Sequence, residues 1–526
     1  MNREPDFFKN LHTELHDGRA WLDRSIVLGY AVMAGLFVVA FTMLSETAFE
    51  WFQHLNKAYP YGVLIWTPAL TAGIVWATRR FFPGASGSGI PQVMAAIDPQ
   101  VDSAARRYFV SFRLTIAKMG LGSLTMLAGL SAGREGPSVQ VGAGVMQGAR
   151  HWMRPGSAIS DHALLVAGGA AGMAAAFNAP LAGVVFAIEE LSKRMDSRNN
   201  SVIISAIVVA GLVSISVFGN LTYFGTIAVP RLSWAAFWPG LVVVVVCGVL
   251  GGLFARLLAA SIEGLPDVFS LWRHKKPIRF AAGAGLIVAV IGIVTGGATY
   301  GAGAEEVRNM LAGESDVSRL YFFLKFVATW ITSWSGVPGG IFAPSLSIGA
   351  GVGHDVAQIF AGSNSALAPS LIALGMAAYL AAATQAPLTS FIIVMEMING
   401  RPMVLSLMAA AMLASLIARL ISRPLYHTLS TLMIGAVLKA AVPPERVEPG
   451  ADEGPDNPAA LDGTAPDQAP SSDSDAVIRP EPDASPASTA PDKPAPPIGL
   501  LDTADALAKD SASGTTTPSG SKLENG

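Results

Sequence analysis

A single acidic side chain interrupts the glycine-rich segment GREGPSVQVGAGV at residues 133–145. Pro137 is typical of the first turn of a helix, and the apolar residues that follow can continue that helix. The unpaired backbone N–H groups at a helix start, together with the helix dipole, attract an anion. Glu135 is itself an anion when ionised, so it can occupy such a site and leave it once protonated. This side chain is a candidate for both a gate and a proton carrier, unless it merely complements the helix dipole.

The pattern of this segment recurs 207 positions later, where residues 340–352 read GIFAPSLSIGAGV. A second segment, AAAFNAPLAG at 174–183, recurs with the same offset as AAATQAPLTS at 381–390. Two apolar halves with matching glycine- and proline-interrupted segments are typical of duplicated transporters. The repeat aligns Pro137 with Pro344, Pro180 with Pro387, Lys118 with Lys325, and Glu135 with Phe342. The acid is therefore present in only one copy.

The second copy also predicts a helix start that can face an anion. Gly340 and Pro344 flank Ile341 and Phe342, and the apolar residues after them can form the helix. If the two halves are inverted, two helix starts meet at one central point. Such a site holds an anion without a full cation, so the anion can leave it again.

Two hydroxyl groups are candidates for further donors to the same anion. Ser88 lies in the glycine-rich segment GASGSGIPQV, and Tyr426 lies in RPLYHTL. Either residue has a simpler alternative role, because a serine before a helix can act as its N-cap and a tyrosine can belong to an interfacial aromatic belt.

Two adjacent acids end the apolar run APLAGVVFAIEE. The repeat aligns Glu189 with Glu396, and Glu190 with Met397. We expect the acid shared by both copies to be architectural and the unshared one to have a special task. A basic pair at 193–194 predicts that this end is cytoplasmic. Glu190 is therefore a candidate for taking up protons from the cytoplasm, or alternatively a surface acid paired with one of these basic residues.

The composition indicates a membrane protein. The 526 residues are 51% hydrophobic and 14% charged, whereas soluble domains carry about 25% charged residues. The 54 glycines and 34 prolines predict broken and re-entrant helices, which are tolerated in a membrane where they are buried in protein or line a cavity. Apolar runs near the length of a membrane span lie at 26–45, 62–78, 202–219, 236–255, 280–297 and 403–418. These features predict an all-α polytopic fold.

The chain divides into three predicted regions. Residues 1–25 are predicted to form a cytoplasmic amphipathic helix with no cleaved signal peptide. Residues 26–440 form the transmembrane domain, with halves at about 26–219 and 235–440. Residues 443–526 are rich in Pro, Ala, Asp, Ser and Gly, which predicts a disordered cytoplasmic tail. The basic residues that place the N-terminus and these loops in the cytoplasm are Arg19, Arg24, Arg79, Arg80, Arg106, Arg107 and the cluster at 273–279.

Other classes of ligand have little support in the sequence. A net charge of -3 gives no indication of nucleic-acid binding, and the single Cys247 cannot form an intrachain disulfide. His354 and His427 are isolated, so we expect no metal and no cofactor.

Four motifs resemble the anion-site signatures of the CLC chloride channels and transporters. They are GSGIP at 87–91, GREGP at 133–137, GGIFAP at 339–344 and the segment around Tyr426. The resemblance covers roughly 25–440. It implies a homodimer with one pathway in each subunit, and about eighteen mostly tilted helices in two inverted halves.

The resemblance also implies roles for individual residues. Ser88, Tyr426 and the backbone of Ile341 and Phe342 would hold a central chloride, as in chloride-preferring members. Glu135 would be the external gating glutamate. Glu190 would be the internal proton glutamate of the bacterial chloride/proton exchangers, an acid that channels of the family typically lack. The supporting residues would be Gly87, Gly89, Pro91, Gly133, Arg134, Gly136, Pro137, Gly340, Pro344 and Lys118.

Three functional hypotheses follow. The first is a secondary active exchanger in the bacterial inner membrane that couples chloride movement to proton counter-transport. The second is a passive, proton-gated chloride channel on the same scaffold. The third, an intramembrane serine protease, rests only on GASG at 84–87, which has the form of a serine nucleophile motif around Ser86.

Overall fold

The computed structural model describes residues 18–192, 200–219, 224, 236–264, 266–313, 317–361 and 367–441. The predicted disordered tail, most of the predicted N-terminal helix and the basic pair at 193–194 lie outside these residues. Residues 18–25 belong to the first long helix of the membrane domain.

All regular secondary structure in the described ranges is helical, which confirms the all-α prediction. The helices in chain order are α1 Gly18–Ala58, α2 Val63–Phe81, α3 Ile90–Ile97, α4 Ser103–Phe109, α5 Phe112–Leu127, α6 Glu135–Gln147, α7 Asp161–Phe177, α8 Pro180–Phe186, α9 Asn200–Phe218, α10 Phe237–Glu263, α11 Val268–Lys275, α12 Pro277–Val294, α13 Ala304–Ala312, α14 Tyr321–Ser335, α15 Phe342–Ala361, α16 Ala368–Thr384, α17 Pro387–Met397, α18 Val404–Arg419 and α19 Leu425–Ala441.

Five helical segments in the described residues are long and apolar enough to cross a membrane. They are Trp21–Ala58, Asn200–Phe218, Phe237–Glu263, Pro277–Val294 and Arg401–Arg419. The run predicted at 62–78 does form a helix, α2. It ends with Arg79 and Arg80, and it packs along α12. The remaining apolar helices are shorter, as expected for a fold of broken elements.

The duplication seen in the sequence is repeated in the packing. Helix α6 packs on α7 in the first half, and α15 packs on α16 in the second. Both contacts need glycine, because a Cβ on Gly142 would overlap the carbonyl oxygen of Gly168, and one on Gly349 would overlap that of Gly375. Close contact through small residues is a common way for helices to associate in membranes.

The second helix of each pair ends in the same way. Asn178 and Gln385 have φ of 55° and 61°, a left-handed conformation that terminates a helix. Pro180 and Pro387 then begin α8 and α17 at the first helical position, where proline is favoured. The repeated NAPL and QAPL segments therefore build the same local break twice. The inverted relation of the halves stays a prediction.

The acid shared by both copies links the two halves. The Glu189 carboxylate accepts hydrogen bonds from the N–H groups of Leu388 and Thr389, at 2.9 and 2.6 Å. Glu396 accepts from Leu181 and Ala182, at 3.3 and 2.7 Å. Each carboxylate thus satisfies the start of a helix in the other half, where N–H groups lack intrahelical acceptors. This reciprocal contact is the architectural role expected for the shared pair.

Candidate functional site

The two repeated loops lie side by side. The Gly133 N–H donates to the Gly340 carbonyl at 2.8 Å, and the Gly340 N–H donates to the Gly133 carbonyl at 2.7 Å. Glu135 begins α6 and Phe342 begins α15, each two residues after its paired glycine. The structure therefore brings the two predicted helix starts together, with Pro137 and Pro344 in their first turns.

The loop around Ser88 joins this pair. The Gly87 N–H donates to the Val337 carbonyl, and the Gly339 N–H donates to the Gly87 carbonyl, both at 3.2 Å. A Cβ on Gly136 would overlap Oγ of Ser88, so these two residues are in direct contact. Helix α3 begins at Ile90 after Gly89, which means that Ser88 is not the N-cap of that helix.

The buried Lys118 supports the Ser88 loop from the protein interior. Its Nζ donates to the carbonyls of Ala85 and Gly87, at 2.8 and 2.7 Å. Lys325, its counterpart in the repeat, donates to the carbonyls of Thr299 and Gly301, at 2.9 and 2.8 Å. Both lysines therefore hold glycine-rich loops in place, which favours the structural role over direct contact with an anion.

Three polar side chains at this junction have buried atoms that make no well-formed hydrogen bond within the described part of the chain: Oγ of Ser88, both carboxylate oxygens of Glu135 and the Tyr426 hydroxyl. The Tyr426 hydroxyl lies close to Ser88, and the Glu135 carboxylate lies close to the backbone N–H groups of Arg134 and Ala343. A buried polar group left unpaired costs about 1–3 kcal/mol, so such groups are rare unless they serve a ligand or a reaction. Since Ser88 and Tyr426 can donate to an anion, their convergence indicates an anion site.

An aromatic cluster forms the apolar wall of the site. The rings of Phe342 and Tyr426 are stacked, with centroids 5.9 Å apart and planes 7° from parallel. Phe177 and Phe186 lie against Phe342 at 6.2 and 6.5 Å. The substitution of Phe342 for glutamate in the second copy thus places an aromatic ring where the first copy has an acid. Ile341 precedes it and is also buried.

Glu190 lies on a π-helical turn that continues α8. The turn spans Ala187–Leu191, and the Glu190 side chain is half-buried. The Tyr426 hydroxyl is within electrostatic range of the carboxyl groups of both Glu190 and Glu135. Single π turns inside α-helices occur frequently at functional sites. The π turn itself was not predicted, because the residues AIEEL carry no local signal for it.

One cavity reaches the site and a second lies beside it. The one that contains Glu135 has a volume of about 590 Å³, and Arg134 lines it beside the acid. The other, of about 350 Å³, is lined by Ser86 and Gly87, which directly precede Ser88 in the chain. The Ser86 hydroxyl donates to the Gly336 carbonyl at 2.8 Å, which is a structural role and offers no support for a serine nucleophile.

One member of the site was missed by the sequence reasoning. Glu46, in the second half of α1, forms an ion pair with Arg134 at 2.8 Å. The only indication of Glu46 in the sequence was its position as an acid near the end of the first apolar run. Sequence alone did not show which residue across the cavity it would meet.

A sequence model of the family described as "Voltage gated chloride channel" matches residues 69–419. The H(+)/Cl(-) exchange transporter ClcA of Citrobacter koseri is 32% identical over 429 residues, which cover 77% of this chain and 88% of the relative. The protein of the same name from Salmonella typhimurium is 31% identical over 419 residues, covering 76% and 85%.

Solved structures have the same fold. A slow cyanobacterial Cl-/H+ antiporter superposes with a TM-score of 0.68 at 23% identity, covering 78% of this chain and 98% of that one. A CLC-type fluoride/proton antiporter superposes with a TM-score of 0.63 at 21% identity, covering 77% and 97%. At this identity the likeness concerns the fold alone.

Proposed function

Because this chain belongs to the family described as the voltage gated chloride channel, we propose that it is a secondary active exchanger, moving chloride in one direction and protons in the other. The observation that carries the proposal is that buried polar atoms of Ser88, Tyr426 and Glu135 converge at one junction without a well-formed hydrogen bond to the described protein. Relatives at 31–32% identity are named H(+)/Cl(-) exchange transporters, which supports the same conclusion.

Chloride binds where the two helix starts meet. The hydroxyls of Ser88 and Tyr426 donate to it, and the backbone N–H groups of Ile341 and Phe342, at the start of α15, complete the site. Hydrogen bonds to a charged group contribute about 1.5–3 kcal/mol each, enough to replace part of the hydration of the anion. None of these four donors carries a full positive charge, so the anion is not trapped.

Glu135 couples the two ions by competing with chloride. When ionised, its carboxylate lies at the start of α6 and takes the place of an anion. When protonated, it loses that attraction and swings away, so chloride passes. The same side chain carries the proton and controls the anion. Each exchange of the Glu135 carboxylate for chloride in the site therefore links the two fluxes.

Glu190 relays protons between Glu135 and the cytoplasm. It is half-buried at the end of α8 and within electrostatic range of Tyr426, which lies in the site. The proton and chloride routes therefore meet at the centre and separate toward the cytoplasm. The second copy has Met397 at this position, so only the first half supplies the proton route.

We propose that the protein lies in the bacterial inner membrane, with both termini cytoplasmic, as a homodimer with a pathway in each subunit. Exposed apolar side chains, such as Leu181 of α8, Leu388 of α17 and Leu416 of α18, are available to contact lipid or a second copy. Photobleaching of singly labelled subunits in liposomes tests this, since two bleaching steps are expected and a single step would exclude the dimer.

Reconstituted liposomes test the exchange. A chloride gradient should drive protons uphill, measured as a pH change outside the vesicles. Chloride flux without coupled proton movement would establish the passive channel instead.

Two variants test the roles of the two acids in transport. Glu190→Gln should abolish proton flux and leave chloride flux still dependent on pH, because the gate can still titrate. Glu135→Gln should abolish proton flux and make chloride flux independent of pH. The exposed Glu263→Gln serves as the control and should behave like the unmodified protein. Normal coupling in either of the first two variants would remove that residue from the mechanism.

A further inference from the structure

The basic cluster at 273–279 lies between two helices that can span a membrane. Helix α10 ends at Glu263 and helix α12 begins at Pro277, and both are long and apolar enough to cross a bilayer. The short helix α11, Val268–Lys275, lies in the connection between them. Because one span ends and the next begins on the same membrane face, α11 must lie near the level of the lipid headgroups.

Helix α11 is amphipathic, and its apolar side is exposed. No residue of this helix is buried. Its apolar side chains, which are 38–78% exposed, are Val268, Phe269, Leu271 and Trp272. With about 3.6 residues per turn, these four lie on one side of the helix, whereas Arg273 on the other side lines an internal cavity. Exposed aromatic and aliphatic side chains on one face of a basic helix are typical of a segment that lies in the membrane interface.

Aromatic contacts hold α11 against the first turns of α12. Trp272 packs edge-on against Phe280, with ring centroids 5.4 Å apart, and a Cβ on Gly283 would overlap the same indole ring. Phe280 in turn packs against Trp334 of α14, at 4.9 Å. The Asp267 side chain caps the start of α11. The protein itself therefore fixes the position of this short helix, and its apolar side is presented outward in a defined orientation.

Three exposed cations come directly after this apolar side. Lys275 is the last residue of α11, Lys276 follows it, and Arg279 lies in the first turn of α12. Within the described part of the chain, none of the three forms an ion pair. The nearest acids along the chain are Glu263 and Asp267, and the Asp267 carboxylate already accepts hydrogen bonds from the start of α11. Positive charge is therefore in excess on this surface.

The end of α2 adds a fourth exposed cation at the same depth. Helices α2 and α12 pack side by side in opposite directions, because Gly285 lies against Thr71 while Pro277 and Thr78 line one cavity. The last turn of α2 is thus level with the first turn of α12. Arg80 lies in that last turn and is exposed. The basic surface is defined by these four exposed residues: Arg80, Lys275, Lys276 and Arg279.

We propose that the basic surface binds the headgroup of an anionic phospholipid, while the apolar side of α11 contacts the acyl chains just below that headgroup. A small soluble anion would require the cations alone, whereas the adjoining exposed aromatic and aliphatic side chains match a ligand with both a phosphate and a hydrocarbon part. Each Lys or Arg near an anionic membrane surface strengthens binding about fivefold. The surface is separate from Ser88, Glu135 and Tyr426, so the inference does not depend on the proposed exchange.

The first test measures lipid binding next to α11 in the full-length protein. Leu271 is exposed and the native Cys247 is buried, so a Leu271→Cys variant offers one accessible thiol for a bimane fluorophore. The protein is placed in phosphatidylcholine liposomes that contain a small fraction of nitroxide-labelled phosphatidylglycerol or phosphatidylcholine with the same acyl chains. Phosphatidylglycerol should quench the fluorophore at lower mole fractions. Adding Lys276→Gln and Arg279→Gln should reduce this preference about fivefold for each cation removed.

The matched control removes one lysine and one arginine elsewhere. Lys57→Gln combined with Arg319→Gln serves this purpose, because both residues are exposed and neither lies in α2, α11 or α12. This variant should keep the preference for phosphatidylglycerol. A fluorophore at Val245→Cys, exposed near the other end of α10, should be quenched equally by the two lipids. Equal quenching by the two lipids at position 271, or an equal loss of preference in the matched control, would overturn the proposal.

The second test varies ionic strength with the same fluorophore at position 271. Raising the salt concentration from about 0.01 to 1 M shortens the screening length from about 30 to 3 Å, so the preference for phosphatidylglycerol should decrease. A preference that persists unchanged in high salt would contradict binding through the basic surface. Neither test measures transport, so a failure of chloride/proton coupling leaves the lipid site standing, and a failure of lipid binding leaves the exchange mechanism standing.

Discussion

In the proposed exchange mechanism, the ion pair between Glu46 and Arg134 should set the pH at which Glu135 is protonated and admits chloride. Glu46→Gln keeps an oxygen that can accept from Arg134 but removes the negative charge that offsets the guanidinium. Arg134, which interacts electrostatically with Glu135, then favours the ionised gate more strongly. More acid is needed to protonate Glu135, so the pH of half-maximal chloride flux should move to lower values. Arg134→Gln should move it in the opposite direction.

The expected shift in the pH of half-maximal chloride flux depends on how exposed each charged side chain is. The Glu46 side chain is 51% exposed and that of Arg134 is 12% exposed. A half-exposed charge acts through water, so removing it changes the free energy of the gate by about 0.2–1 kcal/mol. Since 1.36 kcal/mol corresponds to one pH unit, the Glu46→Gln shift should be about 0.2–0.7 unit. The Arg134→Gln shift should reach about one unit, because this charge is more buried and adjacent to the gate.

The assay is initial chloride efflux from liposomes across a pH series, at fixed chloride and ionic strength. The double variant Glu46→Gln with Arg134→Gln should fall between the two single variants, because the two charges compensate. Glu263→Gln controls for the loss of an exposed acid elsewhere. Shifts of the same sign in the two single variants would refute the electrostatic account, and so would two unshifted profiles with normal flux.

Three further outcomes are expected. Glu189→Gln and Glu396→Gln should each lower the free energy of unfolding by about 1 kcal/mol, because each carboxylate accepts hydrogen bonds from a helix start in the other half. Thermal denaturation in detergent measures this change. Unchanged stability in both variants would argue against the capping role. Gly136→Ala should weaken chloride binding at least about tenfold, because the added methyl overlaps Oγ of Ser88 and displaces a hydrogen-bond donor that contributes about 1.5–3 kcal/mol to binding. Calorimetric titration measures the affinity. An unaltered affinity would mean that chloride binds elsewhere. Lys118→Met should both destabilise the protein and weaken chloride binding, because the Ser88 loop loses two hydrogen bonds. Lower stability with unchanged chloride affinity would mean that the lysine has a structural role only.

Much of the local structure could be predicted from sequence. Pro137 and Pro344 indicated two helix starts, and helices begin there at Glu135 and Phe342. Fixed φ and a missing N–H make proline a signal that acts within a few residues, so no distant partner is needed to interpret it. The repeat likewise predicted that Glu189 and Glu396 would share a role, because equal sequence at an equal offset builds equal local structure twice.

Contacts between distant segments depended on the tertiary structure. The pairing of Gly133 with Gly340, the stacking of Tyr426 on Phe342 and the ion pair of Glu46 with Arg134 each join residues far apart in the chain. Their partners are selected by helix packing, which leaves no signal in the neighbouring residues. The sequence by itself thus determined where helices break and which acids occur in only one copy of the repeat. Only the packing of the two halves decided that the breaks converge on buried donors, because that convergence depends on long-range helix contacts.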